Sequence, residues 1–360
     1  MGHEDRSAGK DQPDGRPNHE DQPDRGGRPG HEELMARAVA RAGHSRLLAP
    51  PNPWVGSVLV CDDGTSFEGS TRRPGGNHAE REVLARAGSR AAGATLYVTL
   101  EPCSHHGRTP PCVEAIIEAE VAIVVIGVVD PDPNVAGSGV AALEAAGIPV
   151  IVGPGADLVE RQLEPYLVHR RTGRPFVVLK LAATLDGRTA AADGTSQWIT
   201  GEQARADAHL IRARSDAILV GAGTVRDDDP RLTVRGVVAS DGRPVREPLR
   251  VVLGAAPAGA AVNPCLELSG PLTEVLDELG SRDVVQLMIE GGATVAGRFH
   301  AEGLVDRYVI YLAPAFMGGD DGSPVLAGAG AATIGELVRG RVQSVRQVGP
   351  DIRVEVRPSN

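Results

Sequence analysis

The apolar positions of this chain recur in two periods and divide it into alternating helices and strands. Leu34, Met35, Ala38, Val39 and Ala42 fall at helical spacing, and Gly43 follows as a stop. The loop Pro50-Pro51-Asn52-Pro53 leads into an apolar strand at 55–60, and Asp62-Asp63-Gly64 predicts a hairpin turn with a return strand at 66–70. His78-Ala79-Glu80 opens an Ala-rich helix that ends near Gly88. A strand at 94–100 runs into Glu101-Pro102-Cys103, which begins the next helical region. The continuous apolar run at 121–129 is the pattern of a parallel strand buried on both faces, and a helix at 141–146 and a short strand at 150–152 follow. Residues 153–173 read as a linker with a short helix.

The alternation then resumes. A strand at 176–182 precedes Thr200-Gly201-Glu202-Gln203, a capping box that opens a helix to Arg214. Strands at 217–220, 249–253, 284–289 and 308–312 alternate with helices at 271–279 and 295–301. This predicts an α/β protein with domains at 31–152 and 175–360, joined by a linker at 153–174. The length of 360 residues suits two cores. The first 30 residues are polar and carry a loose repeat, Asp11-Gln12-Pro13-Asp14 recurring as Asp21-Gln22-Pro23-Asp24. Such a segment buries too little to offset chain entropy and is expected to be a disordered tail, or an extension ahead of a start at Met35.

Composition narrows the function classes. A net charge of −10 argues against a broad nucleic-acid footprint, and no stretch is apolar enough to span a membrane. Four cysteines without a secretory leader fit a reducing cytoplasm and metal chemistry better than disulfides. Cys61 and Cys265 have no motif around them and read as ordinary small side chains.

His78, Cys103 and Cys112 supply one imidazole and two thiols, the three-ligand set of a catalytic zinc site with an open fourth position. Glu80 is not a ligand; its place is to carry a proton from the attacking water to a leaving amine. The generic deaminase signature separates its two cysteines by two residues, whereas here residues 104–111 intervene. Two unrelated cysteines and a core histidine are the bland alternative. His105 and His106 are either fourth ligands of a closed site or part of a solvated or substrate-facing loop. The metal residues are expected at the starts of two helices, where the dipole lowers thiol pKa.

In the second half, two strands end in glycine and run into helices, at Gly221-Ala222-Gly223-Thr224 and at Glu290-Gly291-Gly292. Each alone is an ordinary loop; together, beside the Thr224 and Thr294 hydroxyls, they point to a nucleotide phosphate site. Lys180 interrupts an apolar strand, either as a solvent-facing edge residue or as a contact to a substrate phosphate or hydroxyl. Arg212, Arg231 and Arg235 form a solvated face or bind a sugar phosphate. Asp227-Asp228-Asp229-Pro230 is most simply a charged turn, and Trp198 is core or a stacking platform.

With these residues assembled, the chain resembles the bifunctional deaminase–reductases of riboflavin biosynthesis. The resemblance is carried by Pro51-Asn52-Pro53, His78-Ala79-Glu80, and the run from Tyr97 through Glu101-Pro102-Cys103-Ser104-His105-His106-Gly107 to Cys112. Leu185-Asp186-Gly187-Arg188, Ser196-Gln197-Trp198-Ile199-Thr200, Asp228-Asp229-Pro230 and Glu290-Gly291-Gly292 extend it through the second half. It implies a cytidine-deaminase-like α/β/α domain followed by a dihydrofolate-reductase-like α/β domain. It implies zinc on His78, Cys103 and Cys112, Glu80 as proton shuttle, and Asn52 as a contact to the pyrimidine. It also implies NADPH on Ala182, Trp198, Thr224, Asp228 and a loop comprising Gly292, Ala293, Thr294, Val295, Ala296, Gly297 and Arg298. The substrate would meet Ser196, Arg212, Leu232, Arg235 and Glu290, with Lys180 and Asp228 facing the reacting sugar. A small phosphorylated substrate and a homo-oligomer are implied as partners. The chain departs from the family pattern at Thr71, where a histidine is usual, and in a short segment after Leu253, where a further strand is usual. A second reading keeps the zinc deaminase and treats the second domain as a degenerate scaffold.

Overall fold

The computed structural model describes residues 29–107 and 109–359. The tail expected over residues 1–30 therefore lies outside the described residues up to position 28. The first half comprises α1 (His31–Ala42), β1 (Gly56–Val60), β2 (Ser66–Ser70), α2 (Ala79–Ala87), β3 (Thr95–Leu100), α3 (Cys112–Glu118), β4 (Ile123–Val128), α4 (Ser138–Ala145) and β5 (Val150–Val152). Its sheet runs β2-β1-β3-β4-β5, with β1 antiparallel to both neighbours and β3, β4 and β5 parallel. The buried face of α1 consists of Leu34, Met35, Ala38 and Ala42. That helix lies on β1 so closely that a Cβ on Gly56 would come within 2.0 Å of the Ala38 carbonyl oxygen.

Three local expectations are corrected here. Residues 101–107 and 109–111 are not helical, and α3 starts only at Cys112, so Cys103 sits in a loop. Gly107, Pro110 and Pro111 disfavour earlier helix, and Pro111 becomes the N-cap. The segment read as a linker with a short helix is α5 (Ala156–Thr172), 17 residues long. Val159, Leu163, Tyr166 and Leu167 give it a continuous buried face, and the helix continues through Pro165. It packs on α1 and β4 on one side and on the second sheet on the other. The third correction is the capping box: the N-cap of the helix after residue 201 is Gly201, with no side-chain cap, and its N–H is taken by Asp351 Oδ2 at 2.7 Å.

The second half comprises β6 (Phe176–Thr184), β7 (Arg188–Ala190), α6 (Glu202–Arg214), β8 (Ala217–Gly221), α7 (Ala222–Asp228), β9 (Leu249–Leu253), β10 (Leu266–Leu268), α8 (Leu272–Ser281), β11 (Gln286–Ile289), α9 (Ala293–Ala301), β12 (Arg307–Ala313), β13 (Ser323–Pro324), β14 (Gly340–Val348) and β15 (Asp351–Pro358). Its main sheet runs β10-β9-β8-β11-β6-β12-β15-β14, parallel from β10 to β12 and antiparallel beyond. Alternate residues of β6 face opposite layers. Val177, Leu179 and Leu181 pack with Leu272, Leu276 and Phe299 of α8 and α9, while Phe176 and Val178 pack with Ala204, Ile211 and Val225 of α6 and α7. The result is three layers, with helices on both faces of the parallel portion. Despite the short segment after Leu253, β10 adds a parallel edge strand beside β9. The terminal hairpin β14–β15 lies outside the predicted elements; β14 is largely exposed and β15 is mostly half-buried, so their apolar residues mark no continuous core run.

Candidate active sites

The first site forms where three segments meet. His78 is the N-cap residue of α2, Cys112 is the first residue of α3, and Cys103 comes from the loop after β3. The Nδ1 atom of His78 lies 3.7 Å from Cys103 Sγ and 3.4 Å from Cys112 Sγ, and the three ligand atoms all lie within 4.8 Å of one another. A tetrahedral zinc with bonds of about 2.0–2.3 Å to nitrogen and sulfur needs donor separations of this order. The donor set therefore fits zinc. His78 Nε2 lies 3.5 Å from the Thr109 hydroxyl, and the Cys112 N–H donates to Cys103 Sγ at 3.3 Å. His105 and His106 are exposed and belong to no such cluster among the described residues.

The two thiols differ in a way their helix positions do not explain. A hydrogen bond from Cys112 holds Cys103 down at about 4, with His78 assisting. Cys112, the residue at a helix start, is pushed up because it donates that bond and is buried. Glu80 sits in the first turn of α2, only 3% exposed. Burial pushes its carboxyl above the usual range, with His78 pulling the other way. Asn52 is half-buried in the turn before β1. Thr71, at the position of the usual histidine, is buried and accepts the Val55 N–H at 3.1 Å, so it ties two backbone segments together.

The second site lies at the carboxyl ends of the parallel strands, the usual ligand position in such sheets. Lys180 is on β6, a central strand rather than an edge, and its Nζ lies 3.9 Å from Glu290 Oε2 at the end of β11. Arg212 of α6 engages both oxygens of Glu290, through Nε and, at 2.9 Å, through Nη2. Its Nη1 donates to the Thr233 carbonyl at 3.0 Å, which links α6 to the segment carrying Leu232 and Arg235. Burial alone would raise the Glu290 pKa, but the Arg212 hydrogen bonds and the charges of Lys180 and Arg212 hold it below its usual value. His209, one turn before Arg212, lies 3.3 Å from both the main-chain N and Nε of Arg235. It was not singled out in the sequence, although its spacing of three residues from Arg212 puts it on the same helix face.

The glycine turns at the ends of β8 and β11 are neighbours because those strands pair. Gly292 N–H donates to Thr224 Oγ1 at 3.1 Å and ties one turn to the other. A Cβ on Gly221 or Gly291 would come within 2.7 or 2.8 Å of Val295, so both turns need glycine to approach α9. Residues 293–301 are helix rather than loop; Val295, Ala296 and Gly297 are buried, while Gly292, Thr294 and Arg298 are exposed. The N-cap Gly292 offers no side chain to the first-turn amides of α9, which suits an anionic phosphate, so the turns fit a dinucleotide. Trp198 is 68% exposed, with the Arg205 guanidinium 4.6 Å from its ring centre; Ser196 is half-buried on the same loop. Ala182 is half-buried on β6, Ala293 is half-buried at the start of α9, and Leu232 is buried. Asp228 is exposed at the end of α7.

Comparison with known proteins covers both halves. Residues 29–128 match the cytidine and deoxycytidylate deaminase zinc-binding region, and residues 175–354 match the RibD C-terminal domain. The riboflavin biosynthesis protein RibD of Escherichia coli is 38% identical over 89% of this chain and 97% of its own length. That of Mycobacterium tuberculosis is 43% identical over 89% and 95%. Among solved structures, Acinetobacter baumannii RibD superposes with a TM-score of 0.86 at 38% identity, covering 92% of this chain and 99% of its own. The diaminohydroxyphosphoribosylaminopyrimidine deaminase/5-amino-6-(5-phosphoribosylamino)uracil reductase of Thermotoga maritima gives 0.80 at 33% identity, covering 91% and 99%.

Proposed function

This chain belongs to the RibD family, a bifunctional deaminase and reductase of riboflavin biosynthesis, and from that premise we propose which of its residues carry each reaction. The substrate of the first step is 2,5-diamino-6-ribosylamino-4(3H)-pyrimidinone 5′-phosphate. Water replaces the ring 2-amino group, and ammonia leaves. His78, Cys103 and Cys112 hold zinc, which when bound supplies the polarisation that makes water a nucleophile near neutral pH. Glu80 accepts the proton lost by that water and delivers it to the departing nitrogen. Its burial suits the task, because a carboxyl with a raised pKa both takes and returns a proton readily. Asn52 contacts the pyrimidine.

In the second step the C1′–O4′ bond of the ribose breaks, C1′ gains a hydride and O4′ gains a proton, which leaves a ribityl chain; NADPH, when bound, would supply the hydride. The turns at Thr224 and Gly292, with Ala293, Thr294 and the buried Val295, Ala296 and Gly297 behind them, form the cofactor cradle, with Ala182, Trp198, Asp228 and Arg298 at its margins. Arg212 and Arg235 take the 5′-phosphate, supported by Ser196, Leu232 and Glu290. Lys180 and Asp228 face the sugar. Residues 31–152 and 175–360 are the two catalytic units, and α5 bridges them. The observation that carries the whole reading is the buried Glu80 beside a His/Cys/Cys cluster of zinc dimensions.

Self-association fits the same reading. Leu181, Ile310, Val354 and Val356 line an apolar groove of about 390 Å³, and Val342 and Val345 of the neighbouring β14 are 60% and 62% exposed. A homo-oligomer would cover this face. Thiolate ligands suit the reducing cytoplasm. No described helix is long and apolar enough to cross a membrane.

The test follows both products on one purified sample: ammonia without cofactor, then NADPH consumption once it is added. Both signals are expected. Ammonia alone would leave a deaminase beside a degenerate reductase, and no ammonia from zinc-loaded protein would overturn the proposal.

A further inference from the structure

We infer that Glu101 is a positioning residue for the metal site, locking the Cys103 arm onto the start of α4. The inference rests on the zinc reading above and concerns a residue two positions from a ligand but outside the ligand set. Glu101 is 4% exposed. Its Oε1 accepts the N–H groups of Gly139 at 2.7 Å and Val140 at 3.2 Å, and its Oε2 accepts those of Gly137 at 3.0 Å and Asp130 at 3.1 Å. Four charge-assisted bonds satisfy the buried carboxylate. They also supply the cap that α4 lacks, since its N-cap, Gly137, has no side chain.

The loop is held to α4 at its other residues too. A Cβ on Gly139 would come within 2.1 Å of the Pro102 carbonyl oxygen, so the two backbones touch. The Ser104 and Ser138 hydroxyls lie 2.7 Å apart. Asp130, whose N–H binds Glu101, accepts the Tyr166 hydroxyl of α5 at 2.9 Å, which braces the arrangement from behind. Residues 101–107 and 109–111 have no helix or strand of their own to fix them. The Val113 N–H of α3 donates to the Cys103 carbonyl at 3.2 Å, so α3 holds one end of this arm and Glu101 the other.

The experiment is chelator competition for zinc on the full chain, with NADPH-dependent reduction of supplied deaminated intermediate by the same sample as the control for folding. Glu101→Gln places an amide donor among four N–H donors and is expected to weaken zinc retention roughly tenfold to a hundredfold while reduction persists. Glu101→Asp keeps the charge but withdraws it by a methylene, and is expected to fall in between. It decides the matter if the Gln variant does not fold. Zinc held by either folded variant as tightly as by the unchanged protein would overturn the inference. Cys103→Ser is the reference: if it too keeps zinc, the metal-site reading has failed rather than the role of Glu101.

Discussion

The metal cluster and the Lys180–Glu290–Arg212 cluster solve the same problem, holding charge in a partly dry place, by opposite means. The first brings three ligands from the stretch between His78 and Cys112, one imidazole and two thiols set at zinc dimensions. The second draws its members from β6, α6 and the end of β11, and one carboxylate balances two cations. A cluster held by a metal tolerates loss of a neighbouring proton carrier without loss of structure. A cluster held by its own ion pairs does not.

That contrast is broken most directly at Glu80. Glu80→Gln should lower deamination by about 10²–10⁴-fold, the usual range for a lost general acid–base group, with zinc content and NADPH-dependent reduction of supplied deaminated intermediate unchanged. Steady-state ammonia release and metal analysis check it; zinc lost along with activity would assign Glu80 a structural part.

Glu290→Gln should behave differently, because it leaves Arg212 and Lys180 without their shared counter-charge. Removing one partner of a buried pair costs about 3–5 kcal/mol, so a lower Tm and loss of reduction are expected, with deamination retained. The pH dependence follows in sign. The folded-state pKa of Glu290 lies below its usual 4.5, so the folded protein binds fewer protons there than the unfolded chain. Its stabilisation is present above about pH 4.5 and is lost as pH falls through the lower folded value. Acid unfolding curves of the Gln variant should lack that component; identical curves would contradict it.

The smallest effect is expected at Thr224, whose hydroxyl ties the two glycine turns together. Thr224→Val removes one hydrogen bond of about 1 kcal/mol, which corresponds to roughly a fivefold rise in the KM for NADPH, with kcat for deamination untouched. A KM within error of the unchanged protein would mean that the tie does not shape the cofactor site.

Most of the candidate metal cluster was legible in the sequence. Ligand chemistry demands particular side chains, and here they lie close enough along the chain for spacing to reveal them: His78, Cys103, Cys112 and Glu80 were all legible. The sequence also determined the strand–helix alternation and the glycine turns, because period and glycine content are local properties. The tertiary structure decided what depends on distant neighbours. Cys103 left the helix it was assigned to because Gly107, Pro110 and Pro111 delay α3 to Cys112, and the loop is held instead by bonds to α4. The segment after residue 153 became a long helix because both sheets offer it an apolar surface, which no local pattern records. His209 joined the reductase cluster through a contact with Arg235, on a segment after α7. Glu101 gained its place from four amides supplied by residues 130–140, and only folding brings a buried carboxylate to donors so far along the chain.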